Sequence, residues 1–372
     1  MNILVVTSEE YLTLRLLKCL APLDAVVHVI ACGPAPAVRA SRYCRRYTEH
    51  ERSALASADL DRYCRRHAID IVLPSGMACG FLLASWKESF QAAPMLPMPP
   101  VELLRMLNNK WFFSRFLEQH GLPFPESRLI QGDKDVKALD LEFPVIIKPL
   151  ELDASRGVER CDAPAKVQAY LSRAEAVLPL LVQEYIPGDD VGLGLLARQG
   201  TVLAWTIQKQ LPDGSGIEFI RHEQVLDIGR RIVAACQYDG IMHFDMRLDA
   251  RDGSVKVLEC NPRFWASLPF SMVTGVNFPD MGIRLALEQP LPEMSYQPVR
   301  ITFPTRVLAG ALRGRAACWP LSEPSWQALR FTLSDPLPQL FLGADRLQRK
   351  AAAVFCRTEK AVIEGSGSNA SD

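Results

Sequence analysis

The densest chemistry in this chain of 372 residues lies between His243 and Arg263. Asp245 precedes the turn Arg251-Asp252-Gly253-Ser254, and Glu259 and Asn261 follow it. An Asp-Gly pair between apolar runs is a strong hairpin signal. A side-chain period of two puts Glu259 and Asn261 on one face, and a hairpin brings Asp245 alongside. Three hard oxygen ligands suit Mg²⁺, which takes one or two carboxylates and leaves other positions to substrate phosphates. The plain alternative is a solvated hairpin with scattered acids. Against it stand the neighbours Phe244, Met246, Val257, Leu258 and Cys260, which predict a buried strand pair. Acids buried in such a pair need a cation.

Two lysines stand where an anion fits. Lys110 opens a helix behind Asn108-Asn109, where free backbone N–H groups favour negative charge. Lys148 ends the apolar run Val145-Ile146-Ile147, which predicts a buried stem and a placed amine. Asp153 to Val158 is a small, Gly-containing loop of the kind that wraps backbone donors around phosphates. It lacks the GxxxxGK[ST] pattern, and no GxGxxG follows the first strand. Gln183-Glu184-Tyr185-Ile186-Pro187-Gly188-Asp189-Asp190 reads as a strand leading into a turn. Such a strand edge offers backbone groups to an adenine, and an acid after the turn reaches ribose hydroxyls.

Taken in order, these features resemble the ATP-grasp superfamily from about Asn108 to Arg263: lysine before a helix, lysine ending a strand, small Gly loop, QEYIPGDD, then D…E-x-N-P-R. ECNPRFWASL gives the resemblance the flavour of carboxylate–amine ligases and of carbamoyl phosphate synthase large-subunit domains. The resemblance implies ATP and Mg²⁺, or Mn²⁺ in its place, as cofactors. Lys110 and Lys148 would hold the phosphates, with Lys209 as a further contact. Ser155, Gly157 and Val158 would belong to the mobile phosphate loop. Gln183, Glu184 and Ile186 would meet adenine, and Asp190 or its neighbour Asp189 the ribose. Asp245, Glu259 and Asn261 would bind the metal. Arg263, with Lys148, would serve the chemistry by stabilising an acyl phosphate and the tetrahedral intermediate. The implied reaction activates a carboxylate with ATP and joins it to an amine, releasing ADP and phosphate. The alternative is a nucleotide-binding regulatory or scaffold protein on the same fold, without turnover. In two places the sequence departs from the pattern. His243 stands where some relatives have arginine, so the charge falls to a protonated His243 or to Arg247, unless His243 is core. Position 245 is Asp where many members have Glu. Cys260, Phe264 and Trp265 read as core.

The rest of the chain must position these residues. Ile3–Val6, Ala25–Ile30 and Ile69–Leu73 read as strands, and Leu12–Leu20 and Asp59–His67 as helices, a parallel α/β layer over residues 1–95. By resemblance this is a Rossmann-like pre-ATP-grasp domain. A proline cluster from Pro94 to Pro100 marks a boundary. Residues 96–290 are expected to form a two-lobed ATP-grasp fold with antiparallel sheets. Its elements are strands at 145–149 and 180–186, a hairpin at 193–198 and 201–209, and a helix at 227–237. The fold class is therefore α/β followed by α+β. A helical, Pro-rich extension is expected over 291–360 and a disordered tail over 361–372. RYCRR occurs at Arg42–Arg46 and again at Arg62–Arg66, read as coincidence on two solvated basic segments.

Composition narrows the classes. Lys plus Arg and Asp plus Glu both number 42, so bulk charge gives no case for nucleic acid or an anionic membrane. The ten cysteines form no CxxC pair, and MNILVVTSEE has no basic n-region or cleavage site. Ile71–Trp86 falls short of the ~20 residues a spanning helix needs. The expectation is a reduced, cytoplasmic protein acting on a small-molecule carboxylate and an amine. A homodimer is the expected assembly, as in similar enzymes. Arg306, Arg313 and Arg315 flank the apolar run Val307–Leu312. A helix there is expected to pack on its own domain, with peripheral membrane contact as the alternative.

Overall fold

The computed structural model describes residues 1–152, 155–173, 177–303 and 321–343, together with Arg306. The first layer holds β1 (Asn2–Thr7), β2 (Val26–Cys32), β3 (Arg46–His50) and β4 (Ile71–Ser75), in the order β3-β2-β1-β4. All pairings in it are parallel. β1, β2 and β4 are almost continuously apolar, as strands covered on both faces must be. β3 was invisible to that logic. Its sequence RYTEH has no apolar alternation, and it is a strand because β2 offers a free edge to pair with. The two RYCRR copies occupy different structures: the first runs into β3, and the second lies on the helix Ser57–His67.

Two antiparallel sheets follow. The smaller contains β5 (Ser127–Ile130), β6 (Val145–Pro149), β7 (Glu159–Cys161) and β8 (Leu180–Glu184), in the order β5-β8-β6-β7. The larger contains β9 (Gly188–Arg198), β10 (Thr201–Gln210), β11 (Gly216–Ile220), β12 (Gly240–Asp249), β13 (Val255–Asn261) and β14 (Arg300–Thr302). Its order is β13-β12-β9-β10-β11-β14. β14 falls beyond the boundary expected at residue 290 and closes the far edge of the large sheet on β11.

The chain passes from the small sheet to the large one through Tyr185-Ile186-Pro187 alone. Where the sequence suggested a turn at Gly188, β9 begins directly. Gly188 has φ +129°, and a Cβ there would lie 2.0 Å from the Leu248 carbonyl oxygen. No other residue fits that approach.

The two faces of the large sheet differ. Val191, Leu193, Leu195, Ile207, Met242, Phe244, Met246 and Val257 share a core with residues of the helices Lys110–Gln119 and Glu223–Ala235. Each large side chain fully buried there contributes roughly 1.5–3 kcal/mol. On the other face Leu196, Ala204, Phe219 and Ile241 join Trp265 and Phe278 in a core continuous with Ile3, Val5 and Leu16 of the first layer. Further along, the helix Glu323–Leu333 leads to Asp335. Its carboxylate accepts from Ser41 Oγ (2.5 Å) and Arg42 N (3.1 Å), fastening the C-terminal part to the first layer. The run Val307–Leu312, Arg313, Arg315 and the tail 361–372 lie outside the described residues. Among the described residues no helix is long and apolar enough to cross a membrane.

Candidate active site

β12 and β13 pair with His243 opposite Asn261, Phe244 opposite Cys260, and Asp245 opposite Glu259. The register then shifts, with Met246 opposite Val257. Alternation therefore sends Phe244 and Cys260 into the core and leaves His243, Asp245, Glu259 and Asn261 together on the other face. Asn261 Nδ2 donates to Asp245 Oδ2 at 2.9 Å and reaches Glu259 Oε1 at 3.5 Å.

Two buried lysines meet this face. Lys110 Nζ lies 3.1 Å from Glu259 Oε2 and donates to the Leu152 carbonyl at 2.8 Å. Lys148 Nζ reaches the Leu258 carbonyl at 3.5 Å, a long bond and the one it makes among the described residues. The sequence assigned anion attraction near Lys110 to open helix N–H groups, and that reason is corrected. Asn109 Oδ1 caps the helix by accepting from Trp111 N (3.1 Å) and Phe112 N (3.2 Å). The helix end is thus filled by its own side chain, and the Lys110 ammonium faces Glu259.

The charges are strongly shifted. Burial pushes the Lys148 ammonium down to about 8, helped by Lys110 and opposed by Glu259 and Asp245. Burial works to raise Glu259, but the positive charges of Lys110 and Lys148 outweigh it and hold the carboxyl low and ionised. Asp245 is pushed up, first by the protein packed around its carboxyl and then by the facing Glu259 charge. Its side chain nevertheless keeps 44% of its surface open to solvent, so it lines a hollow rather than a sealed core. Two carboxylates and an amide, directly opposed across one ladder, form an oxygen-only donor set that fits Mg²⁺. Among the described residues no group of three His, Cys, Asp or Glu forms a closed cage, so phosphate and water oxygens would complete the shell.

The open question over residue 243 has a physical answer. His243 is buried against Trp265, ring centroids 5.0 Å apart. Burial and then the Arg263 charge push its imidazole down to about 3, so it is neutral at pH 7. Arg247 points elsewhere, to the Gly188 carbonyl (3.0 Å), Asp190 (3.4 Å) and the Tyr185 ring (5.5 Å). Neither residue supplies the charge expected beside Asp245.

The remaining expected residues divide. Asp190 shares the Asp245 face, since Asp190 pairs with Arg247 and Gly192 with Asp245. Asp189 lies on the opposite face and forms an ion pair with Lys209 at 2.7 Å. Lys209 is thus on the wrong side of the sheet to join Lys110 and Lys148, because its register partner is the core residue Val191. Gln183 is buried in the small sheet, where Nε2 donates to Ser127 Oγ at 3.0 Å. The register puts this side chain on the small-sheet face of Lys148, since Lys148 pairs with Leu181 and Ile146 with Gln183. Glu184 ends β8 and Ile186 is buried in the connection to β9. Ser155 (φ +55°) and Gly157 (φ +70°) form a turn closed by Val158 N to the Ser155 carbonyl. A Cβ at Gly157 would lie 2.8 Å from Pro149, next to Lys148, and Tyr170 Oη donates to the Gly157 carbonyl at 2.7 Å. Asp153 and Ala154 lie outside the described residues.

Arg263 lines a cleft with Gly76, Gly80, Met98, Ile241 and Phe264, between the end of β4 and the β12–β13 pair. Sequence reasoning missed Gly192 and Gly194. A Cβ at Gly192 would sit 2.6 Å from His243 Nε2, and one at Gly194 2.4 Å from Trp265 Cζ2. Glycine at every second position of a strand was the available signal for a close approach on one face.

Residues 176–309 match the family model described as ATP-grasp in the biosynthetic pathway with Ter operon. The chain is 22% identical over 246 residues to the D-aspartate ligase of Enterococcus faecium, covering 58% of each. It is 25% identical over 205 residues to the carbamoyl phosphate synthase large chain of Thermoanaerobacter pseudethanolicus, covering 50% of this chain and 19% of that one. The chain thus spans less than two thirds of the curated relatives it matches. Among solved structures it superposes on N5-carboxyaminoimidazole ribonucleotide synthetase in its ADP complex with TM-score 0.65, at 15% identity and 84% coverage of both chains. The resemblance to the ATP-grasp superfamily holds, and the architecture is that of the ATP-grasp fold.

Proposed function

We propose that the chain is an ATP-dependent ligase that activates a carboxylate as an acyl phosphate and passes the acyl group to an amine. The observation that carries this reading is Asp245 and Glu259 opposed on one ladder with Lys110 and Lys148 against them. In this reading Lys110 and Lys148 hold the ATP phosphates, while Asp245, Glu259 and Asn261 hold Mg²⁺. Bound there, Mg²⁺ would neutralise phosphate charge. The connection from Glu184 to Ile186 receives the adenine and Asp190 the ribose. The Gln183 side chain, on the small-sheet face of Lys148, stays with the adenine, while Asp189 and Lys209 drop out because they pair with each other on the other face of the large sheet. Arg263 points the acid's carboxylate at the γ-phosphate and then stabilises negative charge on the tetrahedral intermediate. Phosphoryl transfer is mostly positioning and charge neutralisation, which this array supplies. We place the reaction in the cytoplasm and propose a homodimer as the assembly.

The test is turnover with hydroxylamine present. Protein receives Mg-ATP and pools of amino acids and small carboxylates, with ADP, AMP and hydroxamate quantified. Carboxylate-dependent ADP and hydroxamate, lost in Glu259→Gln, is the expected result. AMP in place of ADP would sink the acyl-phosphate route. Tight nucleotide binding with no turnover on any pool would favour the regulatory alternative.

A further inference from the structure

The three residues joining the two sheets are gripped from outside the expected motif. Arg251, in the turn between β12 and β13, donates through a terminal guanidinium nitrogen to Glu184 Oε1 at 2.7 Å. The same terminal nitrogen also donates to Asp249 Oδ2, and Asp249 further accepts from Arg251 Nε at 2.9 and 3.0 Å and from Arg251 N at 2.9 Å. Asp249 is only 2% exposed, and Arg251 holds its carboxyl down to about 2. The arginine is thus anchored on the large sheet before it reaches across to the small one. One further bond joins the same turn to the connection, Ala250 N to the Pro187 carbonyl at 2.9 Å, and beside it Arg247 of β12 donates to the Gly188 carbonyl at the start of β9 at 3.0 Å. Tyr185, between them, has Arg160 of the small sheet 4.2 Å from its ring and Arg247 of the large sheet 5.5 Å away.

We propose that the β12–β13 turn is a clip on the hinge between the sheets, with Arg251 as a positioning residue for the nucleotide base. The inference rests on the proposed function, because Glu184 to Ile186 is where that reading seats the base. A contact at the pivot changes length least when two lobes move, so the clip holds Glu184 through opening and closing. Arg251 touches neither phosphates nor the metal ligands. Its loss therefore acts on nucleotide capture and leaves the chemical step alone.

The experiment measures Kd for a fluorescent ATP analogue, and KM and kcat for ATP, in the full chain and in Arg251→Ala, Arg251→Lys and Glu184→Gln. Thermal melting runs alongside. Arg251→Ala is expected to raise Kd and KM about threefold to fivefold, the range for a half-exposed charge pair, with kcat unchanged and a lower melting temperature because Asp249 loses its partner; Glu184→Gln, which keeps the Arg251–Asp249 pair, is expected to raise Kd with melting temperature unchanged. Arg251→Lys restores part of the loss, since it keeps the charge but not the fork that engages Asp249 and Glu184 together. Unchanged Kd in Arg251→Ala, unchanged Kd in Glu184→Gln, or a fall in kcat at constant KM would each overturn the clip. If the unaltered protein fails to bind the analogue at all, the nucleotide reading falls, and the clip with it.

Discussion

The C-terminal edge of the first sheet and the hairpin face of the large sheet are both places where a fold of this type gathers charge, and they are finished differently. At the first, the chain fills its own sites. Glu9 Oε1 accepts from Met77 N (3.1 Å) at the start of the helix Met77–Ser85. Glu10 Oε1 accepts from Ala37 N (2.6 Å) at the start of the helix Pro36–Arg39. The partial positive charge of both helix ends is already matched. At the hairpin, two buried ammonium groups face two carboxylates, and among the described residues Lys148 makes one long hydrogen bond. The lesson is that an open sheet edge is a ligand site only where internal partners leave charge unsatisfied.

Four measurements break or sharpen this contrast. The largest effect belongs to Glu259→Gln, which is expected to lower kcat by about 10²-fold or more, whereas Glu9→Gln leaves turnover within a few-fold. Equal losses in the two would abolish the distinction. Next is the pH response of Lys148. Its folded pKa near 8 lies below the 10.5 of the free side chain. kcat/KM for ATP is therefore expected to fall as pH rises through about 8, because the ammonium discharges. The folded state binds fewer protons than the unfolded state between those values, so this group's contribution to nucleotide-free stability rises with pH over the same window. Opposite slopes in activity and in denaturant midpoints check both signs, and Lys148→Arg should remove the limb near 8. Third, Gly194→Ala forces a Cβ to within 2.4 Å of Trp265. A loss of about 1–3 kcal/mol in equilibrium unfolding is expected from such overpacking. Smallest is Glu10→Gln, which removes charge from a short helix end. It is expected to cost about 1 kcal/mol or less in unfolding free energy and to leave ATP kinetics unchanged.

Some of this was written in local pattern. The apolar runs of β1, β2 and β4 and the Asp-Gly turn before β13 are strong one-dimensional signals. Alternation alone put Glu259 and Asn261 on one face, and the register bears that out. β3 was not legible, because its strand state comes from the free edge of β2 and not from RYTEH.

The sequence by itself determined the fold class, the facing acids and the buried stem of Lys148, because backbone period and apolar flanks are properties of neighbouring residues. Tertiary structure alone decided the partners. It put Asp190 on the site face and sent Asp189 with Lys209 to the other, since a single-residue step along a strand reverses the side. It made His243 neutral by burying it beside Arg263. It also carried Arg251, which has no local motif, to Glu184 in another sheet. Those outcomes depend on which strands lie side by side and on how much water is excluded, and both are set by contacts far apart in the chain.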